Sequence, residues 1–178
     1  MVVVMKPQPA ATELPPLEDL FREHSDAVFM AAHRVTGNAM DAEDVLQTVF
    51  LRMARRRTDI ADVERPGAYL RHAAVNAALD IVRSRERRRE TAPLEDDWVA
   101  VSGDEASPED KARGRELKDR LRAALGEVSP RSAEMFALRY LEGFANAEIA
   151  QMLGTSPSAV GVTLHRTRRR LRRELRDD

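Results

Sequence analysis

The chain reads as all-α: two small helical domains joined by a flexible acidic linker, the second containing a helix-turn-helix. Three features of the sequence predict this. Aromatic residues make up 4% and charged residues 33% of its 178 positions, with Ala, Leu and Arg abundant, the balance of helices that pack small aliphatic cores between charged faces. Apolar residues recur at three- and four-residue steps in two blocks, as the 3.6-residue helical repeat requires. Between the blocks, residues 91–112 carry seven Asp or Glu against one Lys, with two prolines and a glycine, and show no sustained period.

The elements follow in order. Pro7, Pro9, Pro15 and Pro16 among small and polar residues predict a disordered tail over 1–16, within which Met5 is an alternative start. From Leu17 the stripe Leu20, Phe21, His24, Val28, Ala31 and Val35 predicts a helix that Gly37-Asn38 ends. Asp41 is placed to cap a second helix, whose apolar face is Ala42, Val45, Leu46, Val49, Phe50 and Met53. After a polar connection, Arg57 to Arg65, Pro66 opens a third helix to about Arg89, burying Leu70, Ala73, Ala74, Ala77 and Ile81. These three form a domain over 17–90.

The second domain, 113–178, starts near Arg113 with Leu117, Leu121, Ala124 and Leu125 as one helix face. Ser129-Pro130 caps and opens the next helix, with Met135, Phe136, Leu138 and Tyr140. Phe144 to Leu175 then reads as helix, tight turn, helix. Ile149, Ala150 and Leu153 form the first stripe, Gly154 supplies the turn, and Ser156-Pro157 caps a helix burying Val160, Leu164, Leu171 and Leu175.

Several function classes drop out. The absence of cysteine removes disulfides, thiolate nucleophiles and Cys-based zinc sites. His24, His33, His72 and His165 lie far apart without ligand-like spacing, so neither a metal site nor a cofactor is expected. No nucleophile motif and no Gly-rich phosphate loop occurs, so no catalytic residues are assigned. The apolar run within Met1–Lys6 is too short to span a bilayer, which predicts a soluble, cytoplasmic protein without membrane insertion. A net charge of −1 means that any nucleic-acid site must arise by segregating charge along the chain.

That segregation is present. At about 100° per residue, Asp44, Gln47, Leu51 and Arg55 lie together opposite the core stripe of the second helix. Leu51 is then either a lone exposed leucine or the apolar anchor of a protein-docking face. On the third helix, Tyr69, His72, Asn76, Asp80, Arg83 and Arg87 share one flank. An aromatic, an amide and arginines so aligned suit an unpaired strand, stacking on bases and pairing with phosphates. In the last helix, Arg166, Arg168, Arg169, Arg170, Arg172, Arg173 and Arg176 crowd the C-terminal half, where they suit phosphates of duplex DNA. Gly161 and Val162 bring no hydrogen-bonding side chain, so base contacts fall to Ser158, Thr163, His165 and Arg166.

Three segments resemble a known family. DAEDVLQTVFLRM (Asp41–Met53) resembles the polymerase-docking helix of extracytoplasmic-function sigma factors. RPGAYLRHAAVNAALDIVRSRERRR (Arg65–Arg89) resembles their promoter-melting helix, and LRYLEGFANAEIAQMLGTSPSAVGVTLHRTRRRL (Leu138–Leu171) their C-terminal helix-turn-helix. The resemblance implies that Asp41, Asp44, Gln47 and Leu51 dock on core RNA polymerase. It implies that Tyr69, Asn76 and Asp80 lie in or beside the face engaging the melted minus-ten strand of promoter DNA, with Arg83 and Arg87 on its phosphates. The last helix, including Arg169, is implied to bind the minus-thirty-five element, and Thr58 to Glu64 to enclose a flipped-out base. The linker, with Glu95-Asp96-Asp97 and Trp98, is implied to thread the polymerase's RNA path, and an anti-sigma factor to restrain the whole. Departures are Ala145 where the family commonly has Ser, so that Asn146 is expected to cap instead; Gly161 for a basic residue; Thr163 near a position usually held by Arg or another polar residue; and Val75 for Arg, which removes one phosphate contact.

Overall fold

A computed structural model describes residues 17–55, 65–89 and 108–176. The expected disordered tail, the loop Thr58 to Glu64, and residues 90–107 of the linker with Glu95-Asp96-Asp97 and Trp98 lie outside the described residues. Among the described residues there are seven helices and no strand: α1 Leu17–Thr36, α2 Ala39–Arg55, α3 Pro66–Arg89, α4 Pro108–Glu127, α5 Pro130–Tyr140, α6 Asn146–Met152 and α7 Pro157–Glu174.

Helix α1 buries Leu20, Val28, Ala31, Ala32 and Val35, while Phe21 stays half exposed with its ring edge-on to Phe50. The helix stops at Gly37, whose φ of 71° needs no Cβ and whose N–H reaches the His33 carbonyl at 2.8 Å. Asn38 caps α2, its Oδ1 accepting from the N–H groups of Met40 at 2.8 Å and Asp41 at 3.2 Å. Asp41, expected as that cap, is instead the third residue of the helix, because the chain is already turned at Gly37.

Helix α3 departs most from its periodic reading. Leu70, Ala74 and Ala77 are buried and Ala73 and Ile81 partly so, but Val75, Ala78, Leu79 and Val82 are buried as well. At 3.6 residues per turn, Val75, Leu79 and Val82 make a second stripe about 150° from the first. Helix α3 packs on α1 and α2 and also on α4 and α5; Val82 Cγ1 stands 3.6 Å from where a Cβ on Gly126 would be. Val75 is thus a core residue, which accounts for an apolar side chain at the position where the resemblance noted Val in place of a common Arg.

Helix α4 begins at Pro108 and not near Arg113, running back into the acidic stretch, with proline at a first position that needs no N–H partner. Its early turns run outside the core: Leu117 is 53% exposed, whereas Ala124, Leu125 and Val128 are buried. Ser129 Oγ accepts from the Ser132 N–H at the start of α5, which buries Met135, Phe136 and Leu138 but leaves Tyr140 exposed against the Phe136 ring. Gly154, at φ 60°, turns α6 into α7, and Ser156 Oγ caps α7 through the Ala159 N–H at 3.2 Å. Val160, Leu164 and Leu171 are buried as the period requires; Leu175 is only partly so.

The cap of α6 is a further correction. Its N-cap residue is Ala145, which has no side-chain cap hydrogen bond, and Asn146 is already helical; Glu148 Oε2 accepts the Ala145 N–H at 2.9 Å, the reciprocal half of a capping box, supplied by the third helical residue. Asn146 packs towards α7, where its Nδ2 would lie 3.7 Å from a Cβ on Gly161. That is ordinary contact and Gly161 has no positive φ. Gly161→Ala is therefore expected to raise stability by about 0.5–1 kcal/mol, read as a higher midpoint in thermal unfolding; a lower midpoint would show that the α6–α7 crossing needs the glycine.

Candidate nucleic-acid interface

Two helices of the first domain present the candidate faces. On α2, Asp44, Gln47, Leu51 and Arg55 are exposed, Leu51 at 57%, so an apolar side chain stands at the surface among polar and charged ones. Asp41 is turned aside. Arg85 Nη2 donates to its Oδ1 at 2.8 Å, and only 13% of the Asp41 side chain is exposed. Burial pushes the Asp41 carboxyl up against the pull of Arg85; Asp44 adds to the rise, Arg88 opposes it, and the net is upward.

Helix α3 runs unbroken beneath Tyr69, His72, Asn76, Asp80, Arg83 and Arg87, all on one flank. Tyr69, His72, Ala73 and Asn76 meet Val49, Arg52 and Met53 of α2 around a cleft of about 370 Å³, within the roughly 300–1,000 Å³ of clefts that hold small ligands. An aromatic wall, an amide and a cation there suit a nucleobase and its phosphate. Tyr69, Asp80 and Arg87 are exposed.

Within the flank, Arg83 and His72 are largely covered, contrary to expectation. Arg83 is 16% exposed in its side chain. It donates to Asp80 Oδ1 at 3.0 Å and to the Pro130 carbonyl of α5 at 3.3 Å, and its Nε is buried without a partner. His72 Nε2 is 2.7 Å from Glu134 Oε1, and Asn76 Nδ2 is 3.0 Å from the same ring nitrogen. Burial works to raise the Glu134 carboxyl but is outweighed by hydrogen bonds from His72 and Asn76 and by the charges of His72 and Arg131, which hold it below the usual range.

Beside this flank the domains are joined by a buried carboxylate. Glu142, between α5 and α6, has a fully buried side chain. Its Oε1 accepts from Arg34 Nη1 at 2.8 Å and its Oε2 from Arg71 Nε at 2.7 Å, while Arg71 Nη2 donates to the Glu142 carbonyl at 2.6 Å. The Arg71 guanidinium also lies 4.4 Å from the Phe144 ring centroid. Further along, Arg65 Nη1 donates to Glu148 Oε1 at 2.9 Å. Sequence reasoning missed Arg34, Arg52, Arg71 and Glu142. Arg71 sits between the two buried stripes of α3, away from the Tyr69–Arg87 flank, and Glu142 lies outside any helix, so periodicity marks neither.

In α7, Ser158, His165, Arg166 and Arg169 are exposed and Thr163 is partly buried. Ser158 Oγ lies 3.0 Å from the Ser156 cap hydroxyl. His165 and Arg169 line one basic hollow with Arg168, Arg172, Arg173 and Arg176, opposite the buried Val160, Leu164 and Leu171. The face can take phosphates along its length. Among the described residues no group of three or more His, Asp or Glu side chains is placed to hold a metal ion, and no helix is long and apolar enough to cross a membrane.

Comparison with known proteins covers both faces. The model described as Sigma-70 region 2 matches residues 20–88, and that described as Sigma-70, region 4 matches 118–171. ECF RNA polymerase sigma factor SigE of Mycolicibacterium smegmatis is 33% identical over 89% of this chain and 61% of its own length. RNA polymerase sigma-E factor of Streptomyces avermitilis is 32% identical, covering 89% of this chain and 84% of the relative. RNA polymerase sigma factor CarQ of Myxococcus xanthus is 33% identical over 87% and 86%.

Proposed function

The chain belongs to the extracytoplasmic-function family of RNA polymerase sigma factors and so directs promoter-specific transcription initiation, and we propose that it does so by binding free energy alone, without catalysis of its own. The first domain, 17–90, docks on core polymerase through Asp44, Gln47 and Leu51, with Asp41 fixing α2 against α3 through Arg85. The flank of α3 captures the melted minus-ten strand: Tyr69 stacks on a base, His72, Asn76 and Asp80 meet base edges, and Arg83 and Arg87 take phosphates. The second domain sets register upstream, with Ser158, Thr163, His165, Arg166 and Arg169 on the minus-thirty-five element. The protein works in the cytoplasm, where polymerase and promoter DNA are, and an anti-sigma factor covers these faces when it is silent.

The observation that carries this reading is the α3 flank, where one continuous helix aligns an exposed tyrosine, an amide and arginines beside a cleft shared with α2. A repressor acting only on duplex DNA would use the α7 arginines but leave that flank and Leu51 without a role. Asp44→Lys tests the docking. Asp44 is exposed, so the fold should survive, with stability changed by no more than about 0.5 kcal/mol, while co-elution with core polymerase and promoter-specific transcripts should be lost. Normal holoenzyme formation by the variant would remove Asp44 from the docking face.

A further inference from the structure

Helix α2 presents a longer face to a partner than Asp44, Gln47 and Leu51 make up. The resemblance puts Asp41 at the head of that face, but its carboxylate turns in against Arg85 and only 13% of the side chain is exposed. Met40, one residue earlier, takes the place. Met40, Asp44, Gln47 and Leu51 follow one another at steps of four, three and four residues, which sets them within an arc of about 60° on one side of the helix. Met40 is 76% exposed, more than any other large apolar side chain among the described residues, and Leu51 follows at 57%. The face thus carries an apolar side chain at each end, about 16 Å apart along the axis, with a carboxylate and an amide between them. The cap fixes its first turn: Asn38 Oδ1 accepts the Met40 N–H at 2.8 Å.

Met40 also brings a chemistry that Leu51 lacks. The chain has no cysteine, so methionine thioethers are its only sulfur. Among the described residues Met53 and Met135 are buried, Met152 is partly buried and Met30 is 43% exposed, which leaves Met40 the most open to an oxidant. Hydrogen peroxide reacts there in one balanced step. A sulfur lone pair attacks one peroxide oxygen, the O–O bond breaks as an S–O bond forms, and the departing hydroxide takes the remaining proton to leave as water. Sulfur is oxidised by two electrons and the peroxide is reduced by two. The side chain then carries a polar S–O group, and burying it costs the hydration of that oxygen where burying the thioether was favourable.

Resting on the docking reading of α2, we infer that Met40 is a second apolar anchor for core polymerase, and that a peroxide bars the free protein from polymerase by converting Met40 to its sulfoxide. The partner surface that fits is apolar at two points three helical turns apart and polar between them. Once docked, the thioether is covered, so polymerase shields from the oxidant the group that oxidation would spoil. The device acts on the protein before assembly and spares the assembled holoenzyme.

Peroxide footprinting read by mass spectrometry tests the anchor. Cleavage after Arg34 and Arg52 gives a peptide, 35–52, whose one methionine is Met40, and cleavage after Arg22 and Arg34 isolates Met30. In the free, full-length protein under dilute hydrogen peroxide, Met40 is expected to gain oxygen faster than Met30. With saturating core polymerase its rate is expected to fall about fivefold or more, as burial of most of its surface requires; an unchanged rate overturns the anchor. Binding tests the switch. Protein oxidised alone and freed of peroxide, and separately Met40→Gln, which puts a polar group of similar length at this exposed position, are each expected to bind core polymerase about tenfold more weakly than the untreated chain. A sulfoxide reductase drawing on a dithiol should restore the oxidised protein. Met40→Leu keeps an apolar side chain without sulfur, so its treated and untreated forms should bind alike. Undiminished binding by Met40→Gln overturns the anchor, and a loss on oxidation in Met40→Leu equal to that of the unmodified chain overturns the switch. Asp44→Lys tells these failures from a wider one. If it loses assembly while Met40→Gln keeps it, Met40 alone is misassigned; if both assemble normally, the docking reading of α2 falls and this inference with it.

Discussion

Tyr69→Ala is expected to reduce open-complex formation about 5- to 150-fold while leaving holoenzyme assembly intact. A base stacked on an aromatic side chain is worth about 1–3 kcal/mol by alanine substitution, and each 1.4 kcal/mol is about a factor of ten. Tyr69 is 42% exposed at the mouth of the α2–α3 cleft, so its loss removes little of the core and the variant should bind core polymerase as before. Permanganate reactivity of unpaired thymines at a responsive promoter reads the melting directly. Unchanged reactivity would mean that the base is held elsewhere in the cleft and that Tyr69 is an ordinary surface residue.

The second large effect separates two leucines that look alike in the sequence. Both Leu70 and Leu117 sit on helical apolar stripes, but Leu70 is 1% exposed and Leu117 is 53% exposed. Leu70→Ala is expected to cost about 2–5 kcal/mol through lost burial and the cavity left behind. Leu117→Ala is expected to stay within about 0.5 kcal/mol. Chemical denaturation of the two variants beside the unmodified chain checks both. A large loss at Leu117 would show that the early turns of α4 are covered in solution by another surface.

The elements themselves were legible where a local signal marks them. Ser129-Pro130 and Ser156-Pro157 announce helix starts, and Gly37 and Gly154 announce stops, because a capping hydroxyl and a left-handed φ are requirements of the nearest few residues. The local signal failed where two candidates compete. Asn38 outcompetes Asp41 for the cap of α2, and Asn146, expected to cap α6, is already inside the helix after Ala145.

The candidate site divides in the same way. The alignment of Tyr69, His72, Asn76, Asp80, Arg83 and Arg87 needs only the helical repeat, and so does the exposure of Asp44, Gln47 and Leu51 opposite the α2 stripe. The covering of Arg83 by Pro130, the pairing of Asp41 with Arg85, and the burial of Glu142 between Arg34 and Arg71 join residues far apart in the chain. No spacing rule relates such residues.

Apart from the first turn of α4, read as linker, the amino-acid order alone thus marked which segments are helical and which side chains share each helix face, because 3.6 residues per turn is a property of the backbone and ignores what lies beyond the helix. Only the tertiary structure decided which of those faces are covered. Val75, Leu79 and Val82 turned α3 from a helix with one buried side into one buried on two, and the second domain came to cover that second side and to engage His72 and Arg83 at the edge of the candidate flank. Burial depends on what another part of the chain brings against a surface, and that is a fact about the whole fold and not about any one helix.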